Sequence, residues 1–228
     1  MKRFGLMVSL VMVSILLCGS AFAENRYVPQ DYATIQDAIQ AADDGDIILV
    51  ANGVHSGNID FKEKAITIRS INGPDNCILN GVGCNRIIMR KIKTGVGILD
   101  GFTITNYFCS IFHWDLIEIY DSRVELRNCV ITENYYDNQT VTYSIISALY
   151  ANVKFSSCEF RYNQYLESEE QTSGMFQFRD ATVIMNQCVT EGNIGDEIWY
   201  AERTSLSIDD CIFIHNDCQG HGGVLNSK

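Results

Sequence analysis

The chain repeats one pattern four times, as VELRNCVITEN at 124–134, VKFSSCEFRYN at 153–163, VIMNQCVTEGN at 183–193 and LSIDDCIFIHN at 206–216. In every copy a Cys stands five residues before an Asn, and apolar residues stand five and three positions before the Cys. Apolar residues also stand ten and twelve positions before it and two after it, where only Thr190 departs from the register. Because alternate side chains of a strand share a face, the pattern predicts three short strands per repeat, the third starting at the Cys.

One such repeat cannot bury its own apolar side chains, whereas stacked repeats bury them against one another. Three strands per repeat, stacked in register, predict an all-β fold, a single-stranded right-handed parallel β-helix with regular coils over about residues 97–216. The Cys residues are spaced by 29, 30 and 23 positions, which places variable corner loops at 135–144, 164–174 and 194–197. A β-sandwich would not hold six inward positions in one register through four copies.

An α-helix that caps the first coil is expected over about residues 33–43. Thr34 and Asp37 have the spacing of a capping box, and Gly45 can end the helix. Such a cap would cover the apolar end of the stack and its open strand edges. Runs typical of strands follow at 47–51, 58–61, 65–69 and 77–79. The apolar face of the helix would consist of Ile35, Ala38, Ile39 and Ala42.

The first 23 residues have the features of a cleavable signal peptide. Lys2 and Arg3 precede an apolar run at 6–17 that is too short to cross a bilayer, and the small residues at 21 and 23 fit a cleavage site. A lipoprotein interpretation would use Cys18, but the bulky residue before it disfavours this. We therefore expect a secreted domain over 24–228, extracellular or periplasmic, with no membrane span.

The chain is acidic, with a formal net charge of −11 that becomes −13 once Lys2 and Arg3 are removed. Such a surface repels nucleic acid and anionic membranes, so neither is an expected partner. It also repels a polyanionic sugar unless a cation bridges the two. Glu167, Glu169 and Glu170 make one corner loop acidic. No cofactor is expected, and calcium at this loop stays open as the alternative, although no spaced ligand motif indicates it.

The four repeated cysteines are expected to point inward on adjacent coils, about 4.8 Å apart. They would form a file along the stack, whereas a metal site needs ligands that converge on one point. We interpret the four repeated cysteines as small buried side chains that fill a tight corner. Four further cysteines lie outside the register and are better disulfide candidates, namely Cys77, Cys84, Cys109 and Cys218. The sequence does not determine which of them pair.

Two segments resemble known β-helix proteins. YVP at 27–29, ATIQDAI at 33–39 and GD at 45–46 resemble the opening of many secreted pectate-lyase-like proteins, including pectin methylesterases. ILDGFTITN at 98–106 is similar to a segment of bacterial β-helix repeat proteins of unassigned function. The resemblance covers essentially the whole mature chain and implies the fold, but one fold hosts many activities. Around Gly101 the register is ambiguous by one residue, and Phe102 and Ile104 are alternative inward residues.

The resemblance also implies where a ligand would bind, because such proteins usually form a sugar cleft on the first strand of each coil. The outward residues of that strand here are Glu118, Ser147, Gln177 and Tyr200. Asp121 and Asp180 follow the strand two coils apart, at about 9.6 Å, and Arg179 stands beside Asp180. This separation lies at the outer limit for an inverting pair of acids, so the three residues are weak catalytic candidates, with solvated surface charge as the alternative.

The predicted corner loops are rich in aromatic residues. Trp114 lies beside Asp115 in one loop, and Tyr136 and Tyr143 lie in the next. A sugar ring needs an apolar surface to stack on and polar partners for its hydroxyls, and this composition offers both. The alternative is that these side chains cover small cores of their own loops.

The sequence contains no complete catalytic motif. We therefore expect an extracellular β-helix module that binds carbohydrate or a cell-surface component. A polysaccharide lyase, esterase or hydrolase is one alternative, and a purely structural surface solenoid is another. The chain stops with residues 224–228, where a further coil has laid only its first strand, which predicts an uncapped apolar end. Either the protein is the front part of a longer β-helix, or this end is covered by another chain, including a second copy.

Overall fold

A computed structural model describes residues 23–83, 85–108, 115–138, 144–167, 174–195, 197–218 and 224–227. The chain forms a parallel β-helix, as the repeat predicts, in which every strand pairs with the equivalent strand of the coil before or after it. In the described part of the chain four sheets run along the stack, and we name them A to D.

Sheet A has eight strands and sheet C has seven. The strands of sheet A are Asn25–Val28, Ile47–Val50, Thr67–Ser70, Gly97–Asp100, Arg123–Arg127, Asn152–Ser156, Thr182–Asn186 and Ser205–Asp209. Those of sheet C, which precede sheet A in each regular coil, are Ile59–Asp60, Ile87–Arg90, Ile117–Tyr120, Ile146–Leu149, Phe176–Arg179, Trp199–Glu202 and Leu225–Ser227.

Sheet B follows sheet A along each coil, and sheet D follows sheet B. The strands of sheet B are Gly53–Ser56, Cys77–Asn80, Thr103–Thr105, Val130–Thr132, Glu159–Arg161, Val189–Glu191 and Ile212–Ile214. Each regular strand of sheet B begins one residue after the Cys rather than at it. The strands of sheet D are Tyr135–Asn138, Gln164–Glu167, Ile194–Gly195 and Asp217–Cys218.

Sheet D corrects the prediction that residues 135–144, 164–174 and 194–197 are corner loops throughout. The chain stays extended after each repeated Asn, because the Asn side chains bind one another along the stack. Asn134 Nδ2 donates to Asn163 Oδ1 at 3.0 Å, and Asn163 Nδ2 donates to Asn193 Oδ1 at 3.0 Å. Each amide also donates to a carbonyl of the preceding coil. The ladder holds consecutive coils in register, so the polar residues that follow it can pair as strands.

The inward register is confirmed. Val124 pairs with Val153, Val153 with Val183 and Val183 with Leu206. The ambiguity at Gly101 is also resolved, because Val130 N donates to Phe102 O and Ile131 pairs with Ile104. Gly101 has φ +80°, and a Cβ there would lie 2.6 Å from Ser70 Oγ, so the residue turns the corner rather than facing the core.

Cys129, Cys158 and Cys188 are buried in one column of the interior, and Cys211 continues it with partial exposure. Cys77 belongs to the same column, since its neighbour Ile78 pairs with Thr103 and thereby aligns Cys77 with Phe102. The prediction that Cys77 lies outside the register is therefore wrong.

Burial raises the pKa of the Cys77 thiol to about 12, and the thiol is free. Its neighbour in the column is Phe102, so no adjacent thiol faces it there. Cys218 is a free thiol in sheet D, and the other two disulfide candidates, Cys84 and Cys109, lie outside the described residues.

The corners of the coils use left-handed backbone at repeating positions. Such φ values favour glycine, and a side chain there costs about 1 to 2 kcal/mol. The short corners between sheets tolerate them because the stacked hydrogen bonds on both sides hold the backbone in place. The residues concerned in the regular coils are Asp121, Tyr150, Asp180 and Arg203 before sheet A, Asn128, Ser157, Gln187 and Asp210 before sheet B, and Glu133, Tyr162, Gly192 and His215 after sheet B.

The predicted helix spans Ile35–Ala41 near the first coils and buries its apolar side chains against them. Thr34 is the N-cap, and its Oγ1 accepts a hydrogen bond from Asp37 N at 3.1 Å. At the other end, Lys64 Nζ donates to the carbonyls of residues 39, 40 and 42, which satisfies acceptors that a helix end leaves open. Within the described ranges no helix is both long and apolar enough to cross a membrane.

The opposite end of the stack is partly apolar. Ile208, Ile212 and Ile214 are 37 to 52% exposed on the edge strands of sheets A and B. Trp199 is nevertheless buried near this end, because Leu225–Ser227 pairs along its strand and the ring of Phe178 stacks on its ring with 5.6 Å between the centroids.

Candidate functional site

The outward side of sheet C carries a row of polar side chains, one on each coil. Glu118 pairs in register with Ser147, Ser147 with Gln177 and Gln177 with Tyr200. A cavity of about 210 Å³ lies over the middle of this row, and we name it the sheet C groove. It is lined by Asp115, Glu118, Ile119, Tyr120, Ser147, Ala148, Leu149, Gln177 and Arg179.

Asp115 lies at one side of the groove, just before the Ile117–Tyr120 strand. Its Oδ2 accepts a hydrogen bond from Ser147 Oγ at 2.5 Å, and its Oδ1 accepts one from Ser144 N at 2.6 Å. Burial raises the pKa of Asp115 to about 6, and the nearby charge of Glu118 acts in the same direction. The two hydrogen bonds and Arg86 oppose that rise without cancelling it. Asp115 can therefore exchange a proton near neutral pH.

Glu118 is held between two guanidinium groups. Arg86 and Arg90, both on or next to the preceding strand of sheet C, form ion pairs with its two carboxylate oxygens. Arg86 is buried and Arg90 is half exposed. Arg86 could not be singled out from the sequence, because its partner Glu118 lies 32 residues away in the chain. Glu118 is thus a fixed acceptor rather than a free base.

Gln177 offers a donor to the groove. Its Nε2 is buried and has no hydrogen-bond partner among the residues that the structure describes. Its Oε1 lies 3.3 Å from Ser144 Oγ, which itself donates to Gly174 O at 2.8 Å. A buried amide without a partner costs free energy, so a ligand acceptor at this point would be bound favourably.

Tyr200 occupies the fourth place in the row but presents little surface to a ligand. The residue is 3% exposed, and the guanidinium of Arg179 lies 5.8 Å from its ring centroid. Gly174 allows this close packing, since a Cβ there would lie 2.6 Å from Tyr200 Cβ. Arg179 also pairs with Glu202 at 3.1 Å, so it closes one end of the groove as part of an ion pair.

Asp121 and Asp180 lie at equivalent left-handed corners, outside the lining of the groove. Asp121 pairs with Lys93, and Asp180 pairs with Arg203 through contacts of 2.7 and 2.9 Å. The hydrogen bond from Arg203 holds the pKa of Asp180 below its usual value. The two carboxylates are therefore occupied by separate surface ion pairs, and only Arg179 of the three catalytic candidates reaches the groove.

The predicted corner loops that are rich in aromatic residues are described only in part, and we call them the aromatic edge. Trp114 and Tyr143 lie outside the described residues, as does the side chain of Tyr136, whose backbone belongs to sheet D. Phe108 and Tyr135 stack at 5.4 Å between ring centroids, and Phe108 is 52% exposed.

Two further tyrosines lie at the groove, Tyr120 in its lining and Tyr150 in contact with Tyr120. Tyr120 and Tyr150 meet edge to face at 6.2 Å, and Tyr150 is 56% exposed. The contact between the two rings depends on coil stacking, so the sequence did not indicate it.

A second cavity of about 440 Å³ lies between the start of the helix and sheets B and C. Thr34, His55, Asn80, Arg86 and Leu116 are among the residues that line it. The sequence does not indicate this cavity, because its walls come from six separate segments of the chain. Within the described ranges, no group of three or more His, Cys, Asp or Glu side chains is arranged to hold a metal ion.

Comparison with protein families gave a match to the family described as right handed beta helix region, over residues 93–227. Comparisons with curated proteins and with solved structures gave no significant match.

Proposed function

Because the chain belongs to the right-handed β-helix family, whose model covers more than half of it, we propose that it is an extracellular module that binds a polysaccharide along the sheet C groove. The observation that carries the proposal is the row formed by Glu118, Ser147 and Gln177. It offers an acceptor, a hydroxyl and a donor that has no partner among the described residues, on consecutive coils about 4.8 Å apart.

A sugar chain is suited to such a surface, because it repeats its hydroxyls along its length. Tyr120 and Tyr150 supply the apolar surface on which a sugar ring stacks. The stacked pair of exposed Phe108 and half-buried Tyr135 would extend binding toward the predicted aromatic corner loops that contain Trp114, Tyr136 and Tyr143.

The charge of the chain restricts the class of polysaccharide. With a net charge of −11, and −13 once the proposed signal peptide of residues 1–23 is removed, the protein would repel a polyanion. We therefore propose a neutral or amino-sugar polymer as the ligand, bound without calcium. Export by the signal peptide would bring the groove into contact with such polymers outside the cytoplasm.

A second function is favoured by one observation, the raised pKa of Asp115 next to Glu118. Two carboxylates in unlike environments are the arrangement of a general acid and its partner, as a polysaccharide lyase, esterase or hydrolase of the pectate-lyase-like superfamily would need. However, Glu118 is held by two arginines and Asp115 by two hydrogen bonds. Binding without turnover therefore ranks first.

The test is a glycan array probed with residues 24–228, with and without calcium, followed by titration of any hit. Gln177→Ala and Tyr150→Ala should each weaken binding at least about tenfold, since each removes a ligand contact worth about 1.4 kcal/mol. Thr182→Ala, on the outward side of sheet A, is the matched control and should bind normally. A double variant, Trp114→Ala with Tyr136→Ala, tests the aromatic edge separately.

Each outcome separates the alternatives. Binding that Gln177→Ala weakens, with no product released, supports the proposal. Release of unsaturated sugars, reducing ends or ester-derived alcohol, abolished by Asp115→Asn, would support an enzyme instead. If the protein binds no glycan, or binds a protein or a lipid instead, carbohydrate recognition is overturned. Another surface partner or a structural solenoid is then favoured.

A further inference from the structure

The inner corner between sheets A and B holds a file of neighbouring thiols. The strands that follow Cys129, Cys158, Cys188 and Cys211 pair residue by residue, which places the four cysteines at equivalent positions on consecutive coils. The first three are at most 1% exposed, whereas Cys211 is partly exposed. Cys188 N lies 3.4 Å from Cys211 Sγ. The file therefore has one end that solvent can reach.

We propose that Cys188 and Cys211 form a reversible disulfide that fastens the coil of residues 205–218 to the coil before it, with a small disulfide such as oxidised glutathione as the oxidant. The proposal is independent of carbohydrate binding. It places the modification at the accessible end of the file. No other pair of the described cysteines takes part.

The geometry suits this bond. Equivalent residues on adjacent parallel strands lie about 4.8 Å apart, and disulfides join Cα atoms separated by about 4.4 to 6.8 Å. Both side chains point to the same inner corner, so rotation about the Cα–Cβ bonds is the motion that would bring the sulfur atoms together. Because Cβ atoms in disulfides are closer than the strand spacing, the bond is expected to be somewhat strained, which makes it easily reduced.

The chemistry proceeds in two exchange steps. The Cys211 thiolate attacks oxidised glutathione, forms a mixed disulfide and releases one glutathione thiolate, which takes up the proton that Cys211 lost. The Cys188 thiolate then attacks Cys211 Sγ, closes the protein disulfide and releases the second glutathione, which takes up the proton of Cys188. Two protein thiols are oxidised and one glutathione disulfide is reduced to two thiols. A hydrogen bond from Cys158 lowers the pKa of Cys188 to about 7, which assists the second step.

The other described cysteines do not meet these conditions. Cys129 and Cys158 are buried beyond the reach of a reagent. Cys77 is aligned with Phe102, and Cys218 pairs in register with Gly195 in a different sheet. Cys77 is therefore a natural control, since it occupies the same column without a thiol neighbour.

The experiment uses the full chain, purified with a reductant and then transferred to oxidised glutathione. Peptide mapping without reduction should find Cys188 joined to Cys211, and the intact mass should fall by two hydrogens. Cys188→Ser should instead retain glutathione on Cys211, because the resolving thiol is gone. Cys77→Ser should behave as the wild type. The melting temperature of the oxidised protein should exceed that of the reduced protein by about 5 °C or more, and Cys211→Ser should abolish this difference.

Three results would overturn the proposal. These are free thiols at both positions after oxidation, a stable glutathione adduct on Cys211 of the wild type, or a disulfide that uses Cys84, Cys109 or Cys218 while Cys188 and Cys211 stay free. If Cys188→Ser does not fold, peptide mapping of the wild type and of Cys211→Ser decides the question, because Cys211 is only partly buried.

Discussion

Ser147 Oγ donates a hydrogen bond of 2.5 Å to Asp115 Oδ2, and the two residues belong to neighbouring coils separated by 32 positions in the chain. The contact fixes the carboxylate at one side of the sheet C groove while its surroundings keep water away. Asp115 is consequently a group whose protonation depends on the stacking of the coils, and its titration reports on the integrity of the groove.

Asp115 should make stability fall as the pH rises from 4 to 7. Its pKa is raised to about 6 in the folded protein, so the fold binds this proton more tightly than the unfolded chain does. The associated stability is present below about pH 4 and is lost as the pH passes 6, and a shift of about two pKa units corresponds to about 2 to 3 kcal/mol. Asp115→Asn should remove this dependence in urea denaturation at pH 4 and pH 7.5.

Asp180→Asn is the control of opposite sign. Arg203 lowers the pKa of Asp180, so the stability from this pair is present above about pH 4 and is lost as the pH falls. Identical pH profiles for the wild type and Asp115→Asn would contradict the environment described for Asp115.

The Asn ladder should be the most sensitive polar element of the interior. Asn163 is fully buried, donates to Ile131 O and Asn193 Oδ1, and accepts from Asn134. Asn163→Ala would leave several of these groups without partners, so we expect a loss of about 3 kcal/mol in the free energy of unfolding. Asn216→Ala, at the partly exposed end of the ladder, should cost less. Equal losses in chemical denaturation would argue against a cooperative ladder.

A left-handed corner should accept glycine with a gain in stability. Glu133 has φ 54° and an exposed side chain, so Glu133→Gly would relieve a backbone strain of about 1 to 2 kcal/mol. The greater entropy of glycine in the unfolded chain offsets part of this, which leaves a gain of up to about 1 kcal/mol. Thr132→Gly, one residue earlier in a strand of sheet B, should destabilise. Thermal melting distinguishes them, and a lower melting temperature for Glu133→Gly would refute the expectation.

In a protein limited to residues 24–228, the partly apolar end of the stack should associate with a second copy of the chain. Ser205–Asp209 and Ile212–Ile214 are edge strands within the described residues, and their isoleucines are exposed. Open edges beside apolar side chains favour pairing with another strand. Sedimentation velocity should reveal dimers whose proportion grows with concentration and falls in Ile212→Lys. Ile184→Lys, on an interior strand of sheet A, should leave association unchanged. A monomer at every concentration would exclude this interface.

The sequence by itself was sufficient for the coil register, the inward cysteines and the N-cap at Thr34. Each of these depends on side chains that are close in the chain, where period-two alternation or capping spacing reports directly on which face is buried. Four copies of the pattern made the register unambiguous wherever the apolar signal was unbroken. The repeat pattern did not include Cys77, because Phe102 stands between Cys77 and Cys129 in the column.

Only the tertiary structure decided the rest. Sheet D is built from short strands of mixed polar, aromatic and apolar residues that carry no alternating apolar signal, and backbone pairing along the Asn ladder makes it a sheet. The groove likewise depends on contacts between Arg86, Glu118, Asp115 and Ser147, which stacking brings together from separate coils. The local pattern determines which way a side chain points, whereas loop lengths and coil stacking determine what it meets there and therefore its charge, its partners and its chemistry.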